Sequence, residues 1–350
     1  MPDDVILKVN SSGYHGWKGM TVTRSIDAFC GLFDISAHDR WPGQNLPRGI
    51  NPGDECQVLI GDDPVITGYV DGVSPGFTST DTSLGVRGRD KTSDMVDCPT
   101  MVDTYEVIDM DLAGIANTLC SEFKIDLKIM ADVGQPFIKF SIQPGEKASA
   151  CLERAAKLRG IICTTDGNGS LVLTARGSFK PADDQLVEGE NIKKATGDYN
   201  FSNRYSEYTV FGQMPSFNDG VDEPLADLMG TARDVNVMRY RPLLLPAEAW
   251  TSPESATIRA KNECARRAGD SKRVNVQVTG WRQSSGALWE PGTTIAITSA
   301  RLSLDNEQMV ISTLRYSISD TGGRITELEL KRPDAYLENG DGEVEEDSDG

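Results

Sequence analysis

The sequence predicts an α+β protein that is mainly β, with two similar small β-barrel domains flanking an α+β domain and a helical insertion in the second barrel. Three observations carry this. Short strand-like runs alternate with Pro, Gly and Asp turn formers, two helical stripes are confined to the middle, and one strand-and-turn pattern occurs near each end. At 350 residues the chain exceeds one typical domain, and 38% hydrophobic with 25% charged residues is an ordinary globular composition.

The first barrel is expected over residues 1–100. Its strands are read at Val5–Val9, Ala28–Ile35, Glu55–Ile60, Val65–Val70 and Ser83–Arg89, divided by Pro42-Gly43, Asn51-Pro52-Gly53, Gly61 to Pro64 and Ser74-Pro75-Gly76. Residues 101–178 change character. Leu112, Ile115, Ala116, Leu119 and Phe123 recur at helical spacing after Asp111, a suitable N-cap. A second helix after Pro144-Gly145 carries Ala148, Cys151, Leu152, Ala155 and Leu158 on one stripe and stops at Gly160. Ile161–Thr165 and Leu171–Ala175, joined by Asp166 to Gly169, read as a hairpin.

The second barrel is expected over residues 179–336, with strands at Tyr205–Phe211, Val274–Val278, Thr293–Thr298, Met309–Ser319 and Arg324–Leu330. A polar insertion, about 214–270, ends in a helix with Ser252 as its cap, Pro253 at its first position and Gly269 beyond its end. Residues 337–350 form an acidic tail with little to bury, expected to be disordered.

Comparison of the chain with itself matches Asn51-Pro-Gly-Asp-Glu-Cys-Gln-Val-Leu-Ile with Glu290-Pro-Gly-Thr-Thr-Ile-Ala-Ile. It also matches Val65-Ile-Thr-Gly-Tyr-Val with Val310-Ile-Ser-Thr-Leu-Arg, and Leu84-Gly-Val-Arg-Gly-Arg-Asp with Leu328-Glu-Leu-Lys-Arg-Pro-Asp. A separation this long is no solenoid period; it points to two related barrels in one chain. In a cyclic oligomer such a chain shows twice as many barrels as chains.

Charge excludes some functions. Asp and Glu number 53 against 35 Lys and Arg, a net −18, and the seven acids of the tail leave −11 on the remainder. That sign opposes the attraction that drives phosphate binding, so specific nucleic-acid binding is not expected. Seven scattered cysteines without a Cys-x-x-Cys pair suit reduced thiols in a cytoplasm. The amino terminus lacks the basic and apolar regions of a signal peptide, and no apolar run is long enough for a membrane span.

Motifs of catalysis are weak. Only His15 and His38 could serve as imidazole bases, no Gly-x-Ser-x-Gly elbow occurs, and Gly145-Glu146-Lys147 lacks the Ser or Thr of a phosphate loop. Asp166, Asn168 and Ser170 imitate the start of a calcium loop, but Leu171 stands where glycine is required and Gly177 where glutamate closes the site, so a hairpin turn is the better reading. No catalytic, cofactor or metal residues are therefore assigned. Paired carboxylates for glycoside cleavage remain an alternative, decided by a separation of roughly 5–9 Å. Arg239, Tyr240 and Arg241, followed by Pro242, form a basic and aromatic cluster in an acidic chain. Such residues are enriched at interface centres, and they are the candidate inter-subunit contact.

Several segments together resemble the central baseplate hub protein of Mu-like contractile-tail bacteriophages. They are Gly16-Trp17 with Val22-Thr-Arg-Ser-Ile26, Thr67-Gly-Tyr-Val-Asp71, Gly88 to Cys98, Arg204-Tyr-Ser-Glu-Tyr-Thr-Val210, Thr231 to Pro242 and Gly286-Ala-Leu-Trp-Glu-Pro291, running in family order over nearly the whole chain. The resemblance implies a homotrimer whose paired barrels form a pseudo-sixfold torus, joining a sixfold tail tube to a threefold membrane-piercing spike around a passage for DNA. It implies as partners the tube protein, the spike protein and other baseplate proteins, no cofactor, and a place in the virion after assembly in the host cytoplasm. The family is also similar to the amino-terminal part of type VI secretion spike proteins. No spike-forming extension follows Tyr336, so the spike is expected as a separate protein. A cell-wall hydrolase carried in a baseplate is the alternative function. An acidic lumen is expected to let DNA slide without sticking.

Overall fold

The computed structural model describes residues 3–10, 12–37, 49–79, 82–102, 104–175, 177–213, 227–246, 253–319 and 323–336. The Pro42-Gly43 turn, His38, the Ser252 cap and the acidic tail lie outside these residues, as does 214–226 of the insertion.

The chain is mainly β. The first part holds β1 (Val5–Val9), β2 (Ser12–Tyr14), β3 (Trp17–Ser25), β4 (Leu32–Ala37), β5 (Glu55–Ile60), β6 (Asp63–Phe77) and β7 (Thr82–Asp90), then the short helix α1 (Ser93–Asp97). The middle part holds β8 (Glu106–Met110), α2 (Leu112–Glu122), β9 (Leu127–Ile129), β10 (Phe137–Ser141), α3 (Ala148–Leu158), β11 (Ile161–Thr165) and β12 (Leu171–Ala175). Then come β13 (Lys180–Pro181), β14 (Leu186–Val187), β15 (Ile192–Tyr199), β16 (Glu207–Gln213), β17 (Asp227–Arg233), β18 (Pro242–Pro246) and α4 (Pro253–Asp270). Last are β19 (Lys272–Thr279), β20 (Thr293–Ser299), β21 (Leu304–Ser319), β22 (Gly323–Lys331) and a 3-10 turn, Pro333–Tyr336.

Two separate barrels were expected; the strands instead join in one sheet. Its path runs β15-β19-β22-β21-β3-β4-β7-β6-β5-β1-β2, with β20 on β21 and β13 and β14 on β20, and no pairing among the described residues closes either half into a barrel. The joint is β3, which pairs with β4 on one edge and with β21 on the other. Lys, Gly, Arg and Ser interrupt its apolar pattern, which hides it in the sequence, yet Met20 and Val22 face the core as strand alternation requires. One continuous cluster, from Leu7, Val22 and Ile35 to Leu314, Tyr316 and Leu330, lies beneath both halves. Each such fully buried side chain contributes roughly 1.5–3 kcal/mol.

The repeat is visible in strand register. The order β3-β4-β7-β6-β5 recurs as β15-β19-β22-β21-β20. Cys56 faces Gly68 as Ile295 faces Met309, Phe33 faces Gly88 as Val274 faces Leu330, and Val22 faces Phe33 as Gly197 faces Val274. Register shifts recur at equivalent places, at Trp17/Gly19 and Ile192/Lys194, at Val58/Leu59 and Ile297/Ser299, and at Val70/Gly72 and Ile311/Thr313. The two Pro-Gly turns also match. Gly53 and Gly292, at φ +90° and +76°, donate their N–H to the carbonyls of Val70 and Ile311, each at 2.8 Å. The equivalent of Val70 is thus Ile311, so the sequence match of Val65 with Val310 is displaced by four residues, because short apolar runs align equally well in neighbouring registers.

Local corrections have local causes. β4 begins at Leu32 rather than Ala28, since the preceding bend is held by Ser25 Oγ accepting the Asp27 N–H (3.0 Å) and by Asp90 accepting that of Gly31 (2.6 Å). Asp111 caps α2 through the Gly114 N–H (2.7 Å), and Gly160 follows α3 at φ +62°, as expected. Leu158, placed on the buried stripe of α3, is 44% exposed. The middle part also contains the pair β8 and β10, where β8 shows no regular alternation of buried and exposed residues, and the three-residue β9, too short for periodicity to reveal, lies parallel to β12. Tyr205–Phe211 was assigned to the second barrel, but β16 is the central strand of a separate sheet, β17-β16-β18, backed by α4. Gly269 lies inside α4, not beyond it. A Cβ there would stand 2.2 Å from the Ala335 amide nitrogen, so glycine lets the 3-10 turn rest on the helix.

Gly269→Ala would stabilise an open helix by about 1 kcal/mol. Here it is expected to lower stability by about 1–3 kcal/mol through overpacking, seen as a reduced midpoint in thermal circular dichroism.

Candidate assembly surface

The candidate contact residues sit where the sheet β17-β16-β18 turns from β17 into β18. Tyr208 and Val210 of β16 pack on Ala256 and Ala260 of α4, which anchors the layer. Arg204, just before β16, reaches under the turn and holds both carboxylate oxygens of Asp234, Nε to Oδ2 at 2.8 Å and Nη2 to Oδ1 at 2.9 Å, with both side chains buried. Its guanidinium lies 4.2 Å from the Phe201 ring centroid. Asp234 also accepts the Asn236 N–H (3.0 Å), and the Asp234 N–H donates to the Ser206 carbonyl (3.1 Å). The fork geometry makes this a stiff support.

Above that support the turn exposes Val235 (79%), Met238 (93%) and Tyr240 (79%), with Arg239 exposed among them. Arg241 behaves differently. Its N–H donates to Ser206 Oγ (2.8 Å), its guanidinium donates to the Ser202 carbonyl (2.6 Å), and it lies 5.2 Å from the Tyr205 ring centroid. Arg241 therefore braces the turn, while Arg239 and Tyr240 face outward. Sequence reasoning missed Val235 and Met238, since nothing in Asp-Val-Asn-Val-Met distinguishes them from the buried Val237.

Elsewhere the titratable groups are engaged structurally. The buried carboxylate of Asp90 accepts from the Gly31 N–H (2.6 Å), Thr92 Oγ1 (2.5 Å) and Thr165 Oγ1 (2.9 Å), joining the end of β7 to the β11-β12 hairpin. Burial pushes its pKa up, against the opposing pull of these donors and of Arg24. Four of the acids lining two clefts are ion-paired: Asp27 with Lys331 (2.6 Å), Asp270 with Arg266 (3.0 Å), Asp63 with Arg282 (2.7 Å) and Asp166 with Lys128 (2.5 Å). Asp166 also accepts the N–H groups of Asn168 (2.9 Å) and Ser170 (3.0 Å), which makes its loop a hairpin turn. Burial pushes the Cys56 and Cys120 thiols up to about 12, far from thiolate chemistry. His15 is exposed before β3. Among the described residues, no group of three His, Cys, Asp or Glu could hold a metal ion, and no helix is long and apolar enough to cross a membrane.

Comparison with known proteins divides the chain in the same sequence of parts. Residues 4–90 match the family model of the Mu phage baseplate assembly protein GpP-like N-terminal domain, and 92–175 that of the second domain of gp44-like baseplate hub proteins. Residues 204–262 match the third domain of NMB1110-like tail proteins, and 252–339 the fourth domain of the Mu phage baseplate assembly protein GpP. The baseplate hub protein gp44 of Escherichia phage Mu is 29% identical over 344 residues, covering 96% of this chain and 90% of that protein. The crystal structure of the 43 kDa tail protein of prophage MuSo2 from Shewanella oneidensis is similar at a TM-score of 0.84 and 32% identity, covering 96% of this chain and 99% of that one. The tail protein from Neisseria meningitidis MC58 shares the fold at a TM-score of 0.81 and 21% identity, covering 97% and 99%.

Two outcomes are expected. Arg204→Ala leaves Asp234 buried without its partner and should cost about 3–5 kcal/mol in that layer, read as earlier proteolytic cleavage near the turn. Because the folded pKa of Asp90 is raised, its contribution is fully present below the unfolded carboxylate range and is lost as pH rises through the folded pKa. Asp90→Asn should flatten that part of the stability profile, as measured by urea denaturation across the acidic range.

Proposed function

Because the chain belongs to the family of Mu-like phage baseplate hub and tail proteins, we propose that it is the structural hub of a contractile-tail baseplate. It assembles as a ring-forming trimer that matches a sixfold tail tube to a threefold spike and leaves a passage for DNA. The repeated five-strand unit carries this reading. One chain presents the same strand order, register shifts and Pro-Gly anchors twice, so three chains supply six similar seats. The role is mechanical and not enzymatic: the similar proteins are baseplate hub and tail proteins, and Asp27, Asp63, Asp166 and Asp270 in the clefts are held in ion pairs.

The passage is lined, in this proposal, by the polar face of the long sheet. That face bears Thr21, Thr23, Asp34, Arg87, Asn275, Gln277, Arg315 and Glu327, alternating with core residues on the same strands. Its charges are mixed, so this wall replaces the expected acidic lumen with hydroxyl and amide groups between balanced ions. DNA would still pass without strong attachment, since on this face the Arg87 and Arg315 cations are balanced by Asp34 and Glu327. The ridge of Val235, Met238, Arg239 and Tyr240, braced by Arg241, is proposed as a contact with a neighbouring subunit or baseplate protein.

Light scattering of the purified chain is expected to give three times the monomer mass; a monomer at every accessible concentration would contradict the ring. Tyr240→Asp should leave the melting temperature unchanged, because the side chain is 79% exposed, yet weaken association or co-assembly. Unchanged assembly in that variant would remove the ridge from the interface.

A further inference from the structure

The inner joint of the sheet has an unfilled counterpart. On β21, Leu304–Val310 pair with β20 and Val310–Ser319 with β22, so β3, paired with Thr313–Ile318, occupies the continuation of the β20 edge. In the first repeat β6 takes the place of β21. There Asp63–Tyr69 pair with β5 and Gly68–Phe77 with β7, while the edge of Gly72–Phe77 opposite β7 has no strand on it among the described residues. The strand equivalent to β3 is β15, which among the described residues pairs with β19 on one edge only. Within one chain, each repeat therefore leaves unfilled one half of a joint that β3 and β21 complete.

We infer that Gly72–Phe77 of β6 pairs antiparallel with Ala195–Asn200, at the end of β15, in a second copy of this chain. The register follows from the repeat. Val22 faces Tyr316 in the inner joint, so Gly197 faces Pro75, Asp198 faces Ser74, Tyr199 faces Val73 and Ala195 faces Phe77. The side chains suit this pairing. Val73, Pro75 and Phe77 alternate with Ser74 and Gly76, and Ala195, Gly197 and Tyr199 alternate with Thr196 and Asp198. The apolar members occupy the positions of Leu314, Tyr316 and Ile318 on β21 and of Met20 and Val22 on β3, most of them buried in the inner joint. Phe77, the counterpart of Ile318, is 88% exposed, and Tyr199 is 46% exposed. A neighbour's strand would cover both.

The two surfaces that meet are different, so the contact is head-to-tail and propagates round a ring instead of ending at a twofold dimer. Pro75 has no N–H to donate, which makes the edge poorer than the inner joint and a bad template for indiscriminate strand addition. This inference rests on the ring proposed above and adds which edges meet.

Ser74→Cys with Asp198→Cys places two thiols on directly opposed residues, within the separation a disulfide spans. Oxidation of this double variant should give covalent trimers on a denaturing gel without reductant, collapsing to monomers when reduced, while each single variant migrates as the wild type. Phe77→Asp, at a position exposed in the isolated chain, should keep the wild-type melting temperature and weaken association about tenfold or more. A wild-type trimer that shows neither the cross-link nor the weakening would overturn the β6 and β15 contact while leaving the hub reading intact. A wild type that stays monomeric would remove both.

Discussion

The ladder between β3 and β21 is the contact on which the molecule depends. It is a pairing between residues near the two ends of the chain, Thr313 with Ser25 through Ile318 with Met20. Ser25 Oγ lies 2.8 Å from Thr313 Oγ1 and donates to the Ser312 carbonyl at 3.0 Å, and the Ile26 N–H donates to the same carbonyl at 2.9 Å. Each backbone group on a strand edge must find a partner or water. By giving the inner edge of β21 to β3, the chain places two meanders on one core. Closing such a contact across nearly the whole chain carries a loop-closure cost, offset by the apolar surface that Val22, Leu314 and Tyr316 bury together.

The other parts attach to this sheet by polar contacts beside an apolar cluster in which Ile162 of β11 packs with Ile26, Val310 and Tyr336. The β11-β12 hairpin meets β6 where Thr67 Oγ1 donates to the Gly167 carbonyl at 2.8 Å, and it meets β7 through Thr165 and Asp90. Arg282 ties the second half to the first through Asp3 at 2.9 Å, Asp63 at 2.7 Å and the Ile60 carbonyl at 3.1 Å. These residue types would suggest chemistry if read in isolation. In place, they are joints between layers.

Much of the candidate surface was legible only in outline. Arg239, Tyr240 and Arg241 stood out as a basic and aromatic group, but composition could not show that Arg241 turns back to Ser202 while Tyr240 points outward. Nor could it show the Arg204 and Asp234 pair beneath them, whose members lie 30 residues apart. The proposed meeting of β6 with β15 was equally hidden, because an unfilled edge is a property of the pairing scheme and not of the strands.

Local order determined a good deal by itself. Strands β1, β5, β11 and β12 fall where alternation and turn residues place them, Asp111 and Gly160 bound their helices, and the two Pro-Gly turns announce the repeat, because each depends on neighbours a few residues away. Tertiary structure decided what those elements join. The interrupted pattern of β3 became a strand because two partners claim its edges, β16 left the large sheet for α4, and Gly269 stayed helical because a distant turn presses on it. Long-range pairing alone turned the twofold pattern of the sequence into one continuous sheet, since strand edges are satisfied by whichever backbone reaches them in space.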